Sequence, residues 1–136
     1  IGEGAFYGCT SLTSSVIPNS VTTIARFSFY GCKSLSSIVI PNSVTTIGDE
    51  AYDGCTSLAS SVIPNSVTTI GNNAFYGCTS LASIVIPNNA TVADGAFSGC
   101  LLLQRFGGED VVSWLGNRFS DLAAHQVCYR SDVTVE

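Results

Sequence analysis

The chain has 136 residues, 46% of them apolar and 11% charged, with ten acidic against five basic side chains. That balance excludes disorder, which needs high charge and little hydrophobicity, and it lacks the basic footprint of a nucleic-acid binder. The longest apolar runs, such as residues 101–103, are too short to enter and cross a bilayer.

The chain opens at Ile1, with no Met and no targeting segment, on the first residue of a phrase that then recurs. The expectation is a piece of a longer protein, so its compartment stays unassigned. The octapeptide AFYGCTSL of residues 5–12 returns unchanged at 74–81. Near copies are FYGCKSL at 29–35 and YDGCTSL at 52–58, with a worn FSGCLLL at 97–103. Five units therefore start at residues 1, 24, 47, 70 and 92; the first three are 23 residues long and the fourth is one shorter, around Asn88-Asn89-Ala90.

Each unit reads as one coil of a solenoid. Leu12, Ser15 and Ile17 alternate with Ser14 and Val16, the period of a short strand. Pro18-Asn19 ends that strand, because Pro lacks a ladder donor and Asn favours a turn. Val21-Thr22-Thr23-Ile24 reads as a second short strand. A unit buries roughly six apolar side chains at about 1.5–3 kcal/mol each. Ordering its backbone and side chains costs on the order of 1.5 kcal/mol per residue. A lone unit cannot fold; a stack can, with parallel strands ~4.8 Å apart. One irregularity stands out. The inward position is Ser15 and Ser61 in the first and third units but Ile38 and Ile84 in the second and fourth.

The shared phrase, I-G-x-x-A-F-Y-G-C-T-S-L-x-S-x-V-I-P-N-S-V-T-T, resembles the BspA-like type of leucine-rich repeat over residues 1–103. The resemblance implies a repeat solenoid, specifically a right-handed leucine-rich-repeat β-solenoid with short parallel strands. It implies no cofactor and no enzymatic activity, and it associates the chain with adhesion and recognition at cell surfaces or in secreted proteins. Residues 104–136 are predicted to form a C-terminal helical cap or to begin a second module. Asp110 is a candidate N-cap there, and Val111, Val112, Trp114, Leu115, Phe119, Leu122 and Ala123 recur at helical spacing. The tail is similar to those that follow such repeats in algal, diatom-type proteins.

Cys9, Cys32, Cys55, Cys78 and Cys100 occupy one place in the coil, between Phe and Leu core positions, and read as buried thiols. Neighbouring coils admit a disulfide by distance, but stacked side chains run parallel and five is an odd number. No C-x-x-C motif exists and the only His is His125, so no metal site is predicted. Asp121, His125 and Cys128 would share one helix face, an arrangement with no oxyanion donor beside it; a surface coincidence is the preferred reading. Arg26 is expected between Glu3 and Asp49 as a solvated charge pair.

Surfaces remain. The outward positions that the resemblance marks for binding are Ser14 and Val16, Ser37 and Val39, Ser60 and Val62, and Ser83 and Val85, flanked by Thr13, Ser36, Ala59 and Ala82. Four aligned valines make an exposed apolar stripe, which marks partner sites, although near-identical units also copy a good strand for its β-propensity alone. Tyr7, Tyr30 and Tyr76 form a second row, interrupted by Asp53, as a second possible face. The function expected is a scaffold for a protein partner. The rivals are a structural subunit of a larger assembly and, on the Thr22, Thr45 and Thr68 row, an ice-binding solenoid.

Overall fold

The computed structural model describes residues 1–87 and 90–103, together with the backbone of 105–106 and 109–110. The sequence period becomes a spatial one. Each unit contributes a three-residue strand from its S-x-V segment: β1 (Ser14–Val16), β3 (Ser37–Val39), β5 (Ser60–Val62) and β7 (Ser83–Val85). Each also contributes a two-residue strand from its T-I segment: β2 (Thr23–Ile24), β4 (Thr46–Ile47), β6 (Thr69–Ile70) and β8 (Thr91–Val92). The short strands pair in parallel in the order β2-β4-β6-β8, like residue over like residue, so Thr23 faces Thr46 and Ile24 faces Ile47. This is a parallel-strand β-solenoid.

Between the strands, the A-F-Y-G-C segment turns through a second column of main-chain bonds. Here each coil donates forward: Gly4 N–H to Arg26 O at 3.0 Å, Phe6 N–H to Ser28 O at 2.7 Å, Gly8 N–H to Tyr30 O at 2.7 Å. The T-T-I column donates backward, as Thr45 N–H does to Thr22 O at 2.8 Å and Gly48 N–H to Ile24 O at 2.7 Å. The turn also needs the left-handed backbone region twice per coil. The column of Gly8, Gly31, Gly54, Gly77 and Gly99 holds φ between 69° and 77°. A Cβ on Gly54 would meet Gly31 backbone no closer than 3.7 Å, so space is ample and the dihedral alone opposes a side chain. Gly54→Ala should therefore cost about 1–2 kcal/mol by urea unfolding; an unchanged midpoint would show that the turn relaxes freely.

The core is a set of ladders. Phe6, Phe29, Tyr52, Phe75 and Phe97 stack with successive centroids 5.2, 5.0, 5.2 and 5.4 Å apart and nearly parallel rings. Beside them run the Leu35, Leu58, Leu81 and Leu103 column and the Ile24, Ile47 and Ile70 column, all buried. The cysteines form a fourth, as thiols outside any disulfide. Cys32, Cys55, Cys78 and Cys100 are buried, and each Sγ donates to the carbonyl of the aromatic one coil earlier, at 3.1, 3.3, 3.3 and 3.1 Å. Burial, above all, pushes the Cys55 thiol up to about 12 and the Cys78 thiol well above the ordinary range, so neither is an available nucleophile at neutral pH. Cys9, in the first coil, is exposed.

After Leu103 the chain does not leave the sheet at once. β9 (Arg105–Phe106) adds to β7 in parallel, Ser83 opposite Arg105, and β10 (Glu109–Asp110) turns back antiparallel to β9. Asp110, predicted to cap a helix, is thus in a strand, because β9, added to the open edge of β7, offers its own free edge to the next extended segment. No helix occurs among the described residues. The helical spacing expected over 111–123, like the Asp121, His125 and Cys128 grouping, falls outside the described residues.

Candidate interaction surfaces

Every outward position predicted on the S-x-V strands reaches the surface. Val16, Val39, Val62 and Val85 are 80%, 59%, 65% and 42% exposed, far more than strand packing alone requires of valine. Ser14, Ser37 and Ser60 are exposed beside them and Ser83 is half-buried. Alternation along each strand accounts for this, since successive side chains leave opposite faces. Pairing across coils in identical register aligns Val16 with Val39 and Val62 with Val85.

The stripe is not one sheet. β1 pairs with β3, and β5 with β7 and onward to β9, but β3 and β5 are not ladder partners. Ser36 N–H donates to Thr13 O and Ala82 N–H to Ala59 O, both at 3.0 Å; no such bond joins Ala59 to Ser36. The paired junctions set a Ser before an Ile, Ser15 against Ile38 and Ser61 against Ile84; the unpaired one sets Ile38 before Ser61. An open concavity of about 730 Å³ extends over β3, β5 and β7, with Val39, Ile40, Ser61, Val62, Ser83 and Val85 in its lining. Ser61 is 7% exposed, and its buried hydroxyl has no hydrogen-bond partner. The Ser and Ile alternation signalled an irregularity here, but not which junction would open.

The tyrosine row divides likewise. Tyr7 and Tyr30 stack at 4.8 Å, and Phe27, absent from the predicted row, meets both edge-on at 6.0 and 5.5 Å. Phe27 holds φ at +62°, in the column where Gly4 and Gly95 sit in the first and fifth coils. Alignment with those glycines was the available signal. Arg26 lies over the Phe27 ring at 4.4 Å and contacts Glu50 at 3.7 Å, not Glu3 and Asp49 as expected. Asp49 is occupied elsewhere: its Oδ1 accepts the Asn72 N–H at 2.8 Å. Tyr76 stands on the far side of Asp53, 47% exposed.

Asp53 replaces the tyrosine of its column, and partial burial, helped by the Glu50 charge, raises its carboxyl from 3.8 to about 6. Its charge in turn raises the Tyr30 phenol. The folded chain then holds the Asp53 proton more tightly than the unfolded one. Stability accordingly falls as pH rises from about 4 to about 6, and the penalty persists above. Asp53→Asn should stabilise the protein at pH 7 and flatten that slope, as read by urea unfolding at pH 5 and pH 7. An equal slope in both proteins would move the titration to another group.

In the threonine row, the Thr45 and Thr68 hydroxyls donate to Thr22 O and Thr45 O, both at 3.3 Å, so these hydroxyl protons are engaged along the row.

Two coil strands, aligned inward aliphatics and a stacked aromatic–cysteine turn define a leucine-rich repeat solenoid. The sequence model described as "BspA type Leucine rich repeat region" matches residues 1–121 in six copies, and the chain belongs to that family. Among solved structures it is similar to a leucine-rich repeat protein of T. pallidum, with 32% identity and a TM-score of 0.72, over 79% of this chain and 62% of that one. A leucine-rich repeat protein from Bacteroides ovatus matches at 30% identity and TM-score 0.58, covering 78% of this chain and 40% of that one. A leucine rich cell surface protein from Faecalibacterium prausnitzii matches at 30% and 0.56, covering 78% and 34%. The chain therefore spans a third to under two thirds of the length of these structures. No curated protein matches it. Leucine-rich repeat proteins generally mediate protein–protein interaction and are typically non-enzymatic.

Proposed function

We propose that this chain is a non-enzymatic interaction module that holds a protein partner against its S-x-V sheet, through Ser14, Val16, Ser37, Val39, Ser60, Val62, Ser83 and Val85. The observation that carries the reading is the valine stripe, with all four side chains at least 42% exposed at one position of successive coils. Contiguous exposed aliphatic surface is unfavourable to leave in water and is characteristic of recognition faces. The tyrosine cluster is the less favoured face, since Tyr7, Tyr30 and Phe27 already satisfy one another's ring edges. Outward recognition, as at a cell surface, is supported by the family and by the description of the Faecalibacterium neighbour.

The test places a photo-crosslinking residue at Val39 or, on the opposite sheet, at Thr46, and exposes the protein to its native extract. A discrete adduct at Val39 that is absent at Thr46, and that Val62→Arg removes, is expected. Equal labelling at both positions would reject the S-x-V face. A partner that co-purifies at fixed stoichiometry before cross-linking would identify an assembly subunit instead.

A further inference from the structure

We infer that the place of Asp53 in the tyrosine row, between Tyr30 and Tyr76, is a binding slot for the guanidinium of an arginine side chain presented by a polypeptide partner. The inference stands apart from the S-x-V reading, because it concerns the A-F-Y-G-C segment of the coil and not the strands. A polypeptide source accords with the general role of leucine-rich repeat proteins in protein–protein interaction.

Register builds the slot. Gly8 N–H donates to Tyr30 O at 2.7 Å, Gly31 N–H to Asp53 O at 2.8 Å and Gly54 N–H to Tyr76 O at 2.7 Å, which holds the three residues in one column. The residues just before them, Phe29, Tyr52 and Phe75, stack at steps of 5.0 and 5.2 Å. Two coil steps, about 10 Å, therefore separate Tyr30 from Tyr76. In the first two coils the row closes ring on ring, Tyr7 against Tyr30 at 4.8 Å. In the third, the short aspartate leaves room where the other coils place a ring. A flat group entering above Asp53 would lie about 5 Å from the ring on either side, inside the roughly 6 Å reach of a cation over an aromatic face. That is also the row's own stacking step.

Charge selects the occupant. Asp53 is half-buried, and among the described residues its carboxylate has neither a hydrogen-bond nor an ion-pair partner. Arg26 is committed to the Phe27 ring and to Glu50, and Glu50 adds a second negative charge beside Asp53. The carboxyl, raised to about 6 by burial and by Glu50, carries the mark of a charge that nothing offsets. A neutral ring in the slot would strip water from an ionised carboxylate and return nothing. A lysine ammonium would answer the charge but has no flat face to lay against the rings. Guanidinium does both, being planar, always charged, able to stack on aromatic faces and able to donate in pairs to a carboxylate. The chain makes this combination once already, with Arg26 over Phe27 at 4.4 Å and 3.7 Å from Glu50.

The probe is a blocked tripeptide, arginine between two glycines, titrated at pH 7.5 into the complete, isotopically labelled chain and followed by amide chemical shifts. Saturable shifts at residues 30, 53, 54 and 76 are expected. The same peptide with citrulline, flat but uncharged, or with lysine, charged but not flat, should bind at least about fivefold more weakly. Asp53→Asn removes the charge, and Asp53→Tyr fills the slot with the ring that other coils carry; each should abolish saturation over the same concentrations. Tyr76→Ala, at an exposed position, should weaken binding roughly two- to fivefold through loss of one ring face. Arginine and citrulline peptides binding alike, lysine binding as well as arginine, or affinity unchanged in Asp53→Tyr would each overturn the inference. Shifts confined to residues 26, 27 and 50 would overturn it too, by placing the guanidinium at the Arg26–Glu50 pair. None of these results touches the valine stripe, whose own test reads Val39.

Discussion

Replacing Phe75 by alanine should lower stability by about 3–5 kcal/mol, the usual cost of truncating a fully buried phenylalanine, and the melting temperature by roughly 10–20 °C for a chain of this size. Phe75 has no exposed surface and stacks on Tyr52 at 5.2 Å and Phe97 at 5.4 Å. The substitution thus opens a void and severs two ring contacts together. In a stack where each coil touches only its neighbours, the loss also uncouples the coils on either side. Thermal melting followed by circular dichroism should show a broadened or divided transition besides the lower midpoint. A loss under about 1 kcal/mol would mean that the surrounding ladders collapse into the gap, and the aromatic column would not be the spine of the fold.

Tyr52→Phe should act in the opposite direction and stabilise the protein by about 1–3 kcal/mol, the scale of an unmet buried polar group. Tyr52 is completely buried, its hydroxyl finds no partner, and burial raises its phenol well above the ordinary range. Its neighbours in the ladder are Phe29 and Phe75, so phenylalanine fits the column's own geometry without repacking. Urea unfolding of the variant decides the matter. Destabilisation would show that the hydroxyl is bonded, by a bound water for instance, and that the third coil is built around it.

The third coil departs from the shared phrase at two adjacent positions, Tyr52 for Phe and Asp53 for Tyr, and carries Glu50 and Ser61 at positions that vary between coils. Phrase repetition made the solenoid legible, because a residue type that returns every 23 positions must meet the same surroundings each time. Thus the Phe, Cys and Leu columns, the two strands per coil and the exposed valines all follow from period and alternation. Contacts between coils were less legible. Arg26 reaches Glu50 because Asp49 is held by the Asn72 amide, a competition that sequence spacing does not contain. The unpaired β3–β5 junction was not legible, since Ile38 before Ser61 differs from Ser15 before Ile38 only in order. Arg105–Phe106 carries none of the phrase and still joins the sheet, because an unfilled strand edge accepts main chain regardless of side chains.

The interrupted ladder on one side faces an unbroken one on the other, where β4 and β6 remain hydrogen-bonded. Under a pull along the stacking axis, such a joint resists unequally across its width. The S-x-V side would yield first, and the T-T-I ladder and the A-F-Y-G-C column, where Phe29 N–H still donates to Ala51 O, would carry the remaining load, so extension begins as a peel between the second and third coils rather than a simultaneous rupture. A recognition module mounted in this way would slacken at one defined place when its partner is drawn away.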